Sequence, residues 1–239
     1  LRNLVIDAGN TQYKMGFFDN NRLIRHEIGL SISGLQGYID QFQPHHVLFS
    51  SVNISFEDFK TSITGEFELM NLSSSLPLPI GMDYDTPHTL GMDRVAAAVG
   101  AYDLYPGMDL LVIDMGTCIT YDWVSRDGVY QGGIIAPGVQ MRFKAMHQFT
   151  KRLPLLSPLS DPPVVGKSTA ASMQSGVMNG ILAEMEGIIG RYRNISASMC
   201  VVLCGGDAPY FESSLKDTIF AVPQLVLFGL NRILTYNVD

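Results

Sequence analysis

The chain has 239 residues, enough for one large domain or two of ordinary size. Hydrophobic residues make up 46% and charged residues 16%, a balance that supports a substantial core and excludes a disordered chain. The formal charge of −7 argues against a nucleic-acid partner, which would favour a basic face, and no apolar run approaches the length needed to span a membrane.

The opening residues lead directly into a strand, without the pattern of a signal peptide. Strands are expected at 3–8, 12–18 and 22–29, then a helix over 33–42 and a short apolar strand at 47–52. Ser55, with Asp58 three residues on, signals a helix cap. A strand candidate follows at 67–72, then an extended segment at 76–80 broken by two prolines. The Ala-rich run 94–102 is helical by propensity. Just before it stand Gly91 and Asp93, at a loop-to-helix junction where an Asp serves either as an N-cap or in chemistry. A second meander covers 110–124 and 128–136 and leads into a helix at 139–149. Residues 151–165 carry four prolines without a period and read as an irregular loop. A long helix is expected over 169–193, a strand at 199–203, a turn into a helix near Pro209, a strand at 218–222 and a closing helix at 225–236. Small residues at Ala171, Ser172, Ser175, Gly176 and Gly180 permit close packing of the long helix, within the chain or against another.

Three cysteines cannot build a disulfide framework, and their spacing fits no common zinc pattern. Buried free thiols in a reducing cytosol are the expectation, which places the protein in the cytoplasm. Gly166-Lys167-Ser168 resembles the end of a nucleotide-binding P-loop. The required first glycine would fall at Asp161, however, and Pro162 and Pro163 lack the amides that such a loop uses, so that reading is rejected.

One stretch organises the rest. Residues 4–14 read LVIDAGNTQYK: an apolar run, a polar turn and a second extended run, the pattern of a β-hairpin. Gly9 permits a tight turn or close approach of a ligand. Asn10 and Thr11 offer side-chain donors beside the turn amides, and Asp7 can reach a metal ion or its water. Alone, this turn also fits an Asx-type hairpin with no ligand. Residues 111–121, LVIDMGTCITY, repeat it without a gap: Asp7 aligns with Asp114, Gly9 with Gly116 and Asn10 with Thr117. Two copies half a chain apart indicate a duplicated domain rather than a solenoid.

Two phosphate-binding hairpins of this kind resemble the superfamily of actin, sugar kinases and heat-shock ATPases. The strand and helix order of the first half fits its half-domain. The resemblance implies an α/β fold of two ribonuclease H-like domains, 1–106 and 107–239. Within the superfamily the motifs narrow further: D-x-G-N-T at Asp7, Y-x-x-P-x-x-L-G-x-D-R from Tyr84 to Arg94, and D-x-G-T-x-x-T from Asp114 to Thr120. G-G-x-I-x-P-G from Gly132 to Gly138, a Ser-Thr pair at Ser168-Thr169 and G-G-D-A at Gly205 complete the set. In this order they resemble the type III pantothenate kinases, with Cys118 standing where that family usually has Ala, and Lys167 a less typical neighbour of the Ser-Thr pair.

The resemblance implies an enzyme that phosphorylates the 4′-hydroxyl of pantothenate with ATP, the first step of coenzyme A biosynthesis. It assigns ATP binding to Asp7, Ala8, Gly9, Asn10, Thr11, Gln12, Tyr13, Lys14 and Thr117, with Mg²⁺ near Asp7. Tyr84, Gly91, Met92, Asp93 and Arg94 would hold pantothenate, Arg94 being suited to its carboxylate or polar tail. Asp93 matches the general base, and Asp114 the ligand of a monovalent cation, K⁺ or NH₄⁺. Thr169 would reach the substrate of the second subunit in a homodimer with a shared active site. The alternatives are a catalytically silent regulatory or accessory ATP-binding protein and another small-molecule kinase of the same superfamily.

Overall fold

The structure, a computed structural model, describes residues 1–9, 13–30, 34–51, 53–215 and 219–238. The chain divides into two units, Leu1–Gly107 with Gly128–Gln131 and Gln224–Asp239, and Met108–Asp127 with Gly132–Pro223.

In the first unit β1 (Arg2–Ala8), β2 (Tyr13–Asp19) and β3 (Arg22–Leu30) form the meander expected from the alternating apolar runs. α1 (Leu35–Phe42) follows and ends at Gln43, which adopts the left-handed conformation of a C-cap. β4 (His46–Ser51) and β5 (Glu68–Asn71) flank α2 (Phe56–Ser62). The cap at Ser55 forms as its sequence indicates: its hydroxyl accepts from Asp58 N at 3.1 Å and donates to Asp58 Oδ2 at 2.7 Å. The sheet order is β3-β2-β1-β4-β5. β1 runs antiparallel to β2 and parallel to β4. One face of this sheet packs Leu4, Ile6, Met15 and Phe17 against Leu35, Ile39 and Phe59.

β6 (Gly81–Met82) lies parallel to Val129 and Tyr130, which also belong to the first unit. α3 (Met92–Leu104) is buried along most of its length, from Arg94 to Ala101. Its small residues serve packing as well as propensity. A Cβ on Gly100 would lie 2.5 Å from the carbonyl oxygen of Leu225, and one on Gly229 would collide with the carbonyl of Ala96. α3 and α6 (Leu225–Val238) thus touch backbone to backbone. The closing helix packs within the first unit, and its Asn231 forms hydrogen bonds with Asn3 of β1 and with Asn21.

In the second unit β7 (Leu110–Met115), β8 (Cys118–Val124) and β9 (Val129–Pro137) repeat the meander, and β10 (Cys200–Cys204) and β11 (Ile219–Ala221) extend the sheet. Its order is β6-β9-β8-β7-β10-β11, with β7 antiparallel to β8 and parallel to β10. Apart from β6 at its edge, this is the arrangement of the first sheet, so the duplication read from eleven residues extends to the topology. α4 (Val139–Phe149) and α5 (Thr169–Arg193) cover one face, with Phe143, Val177, Ile181 and Met185 packed on Ile113, Tyr121 and Leu203.

One expectation changes: the helix near Pro209 is only a 3-10 turn, Ala208–Tyr210. Along α5, Gly176 and Gly180 face open space. Ser172 and Ser175 instead donate to the carbonyls of Gly166 and Val164, while Gln174 and Asn179 bond Ser157, Leu159 and Pro162. The irregular stretch is thereby strapped along α5. It contains no strand before Gly166-Lys167-Ser168, which a P-loop would need. No helix among the described residues is long and apolar enough to cross a membrane.

Candidate active site

Asp7 lies near the end of β1, where an apolar strand gives way to the turn. It is 8% exposed. Its partner across the antiparallel pair is Lys14, and its parallel neighbour is the buried Ser50. Opposite charges at such positions attract and help hold the hairpin in register. Ala8 is buried opposite the half-buried Tyr13, and Gly9 opens the turn. Asn10, Thr11 and Gln12 lie outside the described residues.

The second hairpin is described through its turn. Gly116 N donates to Cys118 O at 3.0 Å, and Thr117 is exposed at the tip. Asp114 is half-buried, with Thr120 as its cross-strand partner and Cys204 as its parallel neighbour. Gly205 comes next, at φ +93°, and a Cβ there would lie 2.5 Å from Asp114 Oδ1. Only glycine fits that combination of conformation and contact. Asp207 N donates to Met115 O at 3.0 Å, and burial raises the pKa of the Asp207 carboxyl above its usual value.

The motif from Tyr84 to Arg94 is built around the start of α3. Asp83 N donates to Tyr130 O at 2.8 Å, which anchors the stretch, and the Tyr84 ring meets Tyr130 edge-on at 5.9 Å. Gly91 is the N-cap of α3, so Asp93 is not the cap that its sequence position allowed. Asp93 sits in the first turn of the helix, exposed, with Oδ1 accepting from Arg94 N at 2.9 Å. That carboxylate occupies the space a side chain at residue 91 would need, because a Cβ on Gly91 would lie 2.5 Å from Asp93 Oδ1. Met92 is half-buried, and Arg94 is 7% exposed. Thr169 is the exposed first residue of α5, whose N-cap Ser168 accepts from Ala171 N at 3.1 Å. The first unit thus brings Tyr84, Gly91, Met92, Asp93 and Arg94 together along one loop and helix start. The second brings Asp114, Thr117, Gly205 and Asp207 together around one turn.

The donor chemistry suits the cations that the sequence suggested. Among the described residues there is no group of three or more His, Cys, Asp or Glu side chains that could hold a metal. Mg²⁺ carried by nucleotide phosphates needs only one or two protein carboxylates, and Asp7 is a carboxylate that could hold it. Beside Asp114, Thr120 Oγ1 is buried without a hydrogen-bond partner. A carboxylate with an orphaned hydroxyl across the strand pair is a set of hard oxygen donors suited to K⁺ or NH₄⁺. Thr120 and Gly205 stand in the sequence motifs without a role assigned by the resemblance. Hairpin register could have found Thr120, since a short turn at 116–118 sets residue 120 opposite 114.

A family model described as type III pantothenate kinase matches residues 3–191. A type III pantothenate kinase of Cytophaga hutchinsonii is 44% identical over 236 residues, covering 99% of this chain and 100% of its own. One from Bacteroides fragilis is 40% identical over 242 residues, covering 98% of each. Among solved structures, a Campylobacter jejuni protein described as a conserved Baf family transcriptional activator aligns with TM-score 0.63 at 22% identity, over 98% of both chains. The activator of 2-hydroxyisocaproyl-CoA dehydratase from Clostridium difficile, solved with bound ADPNP, aligns with TM-score 0.57 at 12% identity, over 98% of this chain and 95% of that one. At such identities the structural likeness speaks for the fold alone, which is that of the actin-like ATPases and sugar kinases. The sequence likeness spans the whole chain, and the chain belongs to the type III pantothenate kinase family.

Proposed function

We propose that this protein transfers the γ-phosphoryl group of ATP to the 4′-hydroxyl of pantothenate. The observation that carries the reading is membership of the kinase family along the full chain. The turn from Asp7 to Lys14 and the turn at Thr117 hold the polyphosphate. Asp7 would hold Mg²⁺ and Asp114 a monovalent cation, and either ion would supply positive charge to offset that of the phosphates. Tyr84, Gly91, Met92 and Arg94 frame pantothenate. Asp93 accepts the hydroxyl proton as that oxygen bonds to the γ-phosphorus and the bond to the β-phosphate oxygen breaks, releasing ADP. Transfer of this kind rests on alignment and charge stabilisation, so Asp93 acts chiefly by orienting the alcohol. Its exposed position at the helix start, fixed by Arg94 N, supports that role.

The working form is a homodimer in which Thr169 reaches the neighbour's pantothenate. α5 supports this with Gly176, Gly180, Gly187 and Gly190, each facing open space and spaced to lie along one side of the helix. Exposed Ile135, Phe149, Val164 and Val165 add apolar surface in the same unit. Three free cysteines suit a reducing cytoplasm.

ADP release measured with and without pantothenate tests the function. Release that depends on pantothenate is expected, while equal release in its absence would leave an ATPase of the accessory kind. Asp93→Asn should bind ATP yet turn over about 100-fold more slowly, and near-normal turnover would remove the base. Co-expressing Asp93→Asn with Thr169→Val tests the shared site. Recovery of activity in the heterodimer is expected, since one of its sites is then intact. No recovery, with heterodimers present, would place Thr169 in its own chain's site.

A further inference from the structure

We infer that Arg142 is a positioning residue for ATP, acting through the turn that carries Thr117. Its side chain leaves the first turn of α4 and makes two contacts: Nε donates to the carbonyl of Pro137 at 2.8 Å, and a terminal nitrogen donates to Glu184 Oε2 at 2.8 Å. Glu184, on α5, accepts from the hydroxyl of Tyr121 at 3.1 Å through its other oxygen. Tyr121 is fully buried on β8, and burial, with Glu184 beside it, raises the pKa of its phenol far above the usual value. The phenol therefore stays a donor at physiological pH. Three elements are tied to the end of β9 by one arginine whose planar fork can serve two acceptors at once.

The end of β9 is where the brace meets the site. Pro137 is the last strand residue, and Gly138 N donates to Thr117 O at 3.2 Å. A Cβ on Gly138 would lie 2.5 Å from the carbonyl oxygens of both Gly116 and Thr117. The start of α4 is thus pressed on the turn with no slack, so a shift at Pro137 is passed to Thr117. Arg142 and Glu184 are both largely shielded, with side chains 20% and 29% exposed, so their ion pair is less screened than one on the open surface. Without the guanidinium, the Pro137 carbonyl loses its donor and the turn gains freedom. Loss of alignment by about 1 Å can cost up to ~100-fold in rate.

This inference rests on the reading of the Thr117 turn as a phosphate site, and its test has a readout independent of turnover. In Arg142→Met, which keeps the length of the stem, the Gly138 amide should exchange with solvent about tenfold faster. The KM for ATP should rise about tenfold, while the KM for pantothenate and the melting temperature change little. Arg142→Lys should restore part of the ATP affinity. Glu184→Gln should have a smaller effect, and adding it to Arg142→Met should cost little more, because the two act as one unit. Unchanged exchange at Gly138, or faster exchange with an unchanged KM for ATP, would overturn the assignment. So would parallel changes in both KM values and in melting temperature, the signature of a merely structural contact. Failure of the unaltered protein to phosphorylate pantothenate would instead sink the proposed function, and the exchange measurement would still read the brace.

Discussion

The two hairpins start from the same four residues and solve the same charge problem differently. In the first, LVID ends at Asp7, which faces Lys14 across the pair and Ser50 on its parallel side. In the second, LVID ends at Asp114, which faces Thr120 and Cys204, with Gly205 close against its carboxylate. One copy carries a covalently tethered cation beside its carboxylate. The other sets a hydroxyl opposite its carboxylate, and glycine at 205 leaves that carboxylate its room. Duplication supplied the scaffold twice, and the residue opposite the Asp differs between the copies.

Replacing the two carboxylates in turn should sharpen that contrast most. Asp7→Ala should lower kcat/KM by roughly 100-fold or more, whatever the salt, because transition-state charge loses its Mg²⁺ ligand. Asp114→Ala should cost less, about tenfold, and should lose the response to K⁺, because the carboxylate that would hold the cation is gone. Equal losses with equal salt responses would break the comparison.

Gly205→Ala tests the cleared space. The φ of +93° and the collision with Asp114 Oδ1 and Met115 should cost about 1–3 kcal/mol, read as a melting temperature lowered by several degrees. Gly116→Ala, whose Cβ would meet nothing nearer than 3.8 Å, should be better tolerated. If both variants melt together, the backing of Asp114 by Gly205 has no energetic weight.

The smallest effect lies at the far end of the repeat. Two residues before each LVID stand Arg2 and Asp109. Burial disfavours the charge on Asp109, but hydrogen bonds from Arg126 N, Ser196 Oγ and the Arg126 guanidinium outweigh it and hold its pKa below the usual 3.8. A lowered carboxylate pKa stabilises the fold above the unfolded value and loses that contribution as pH falls through the folded one. The melting temperature of Asp109→Asn should therefore lie slightly below that of the unaltered protein at pH 7. The gap should close as pH falls below 3.8. A gap independent of pH would mean that packing, not charge, is lost.

Much of this was legible in the sequence because period and punctuation are local. The meanders, the Ser55 cap and the run of α5 from Thr169 follow from apolar spacing and capping residues. The repeat at Asp7 and Asp114 disclosed the duplicated topology. Other features depend on residues distant in the chain. The backbone contact of Gly100 with Gly229 joins α3 to a helix more than a hundred residues later, so alanine richness read only as propensity. Asp93 passed for a possible cap because capping and catalysis use the same residue type, and only the geometry shows Gly91 in that position. Arg142 and Glu184 lie 42 residues apart on different helices, and no local pattern links them.

The measurement closest to the central claim is the initial rate in K⁺, NH₄⁺ and Na⁺ at constant ionic strength, for the unaltered protein, Asp114→Asn and Lys14→Met. The unaltered enzyme should run several-fold faster in K⁺ or NH₄⁺ than in Na⁺, as a cation bound at fixed oxygen donors would require. Asp114→Asn should be slow and indifferent to the salt. Lys14→Met should be slow yet keep the full response to K⁺. Equal rates for the unaltered enzyme in all three salts, or a K⁺ response lost with Lys14 and kept without Asp114, would contradict it.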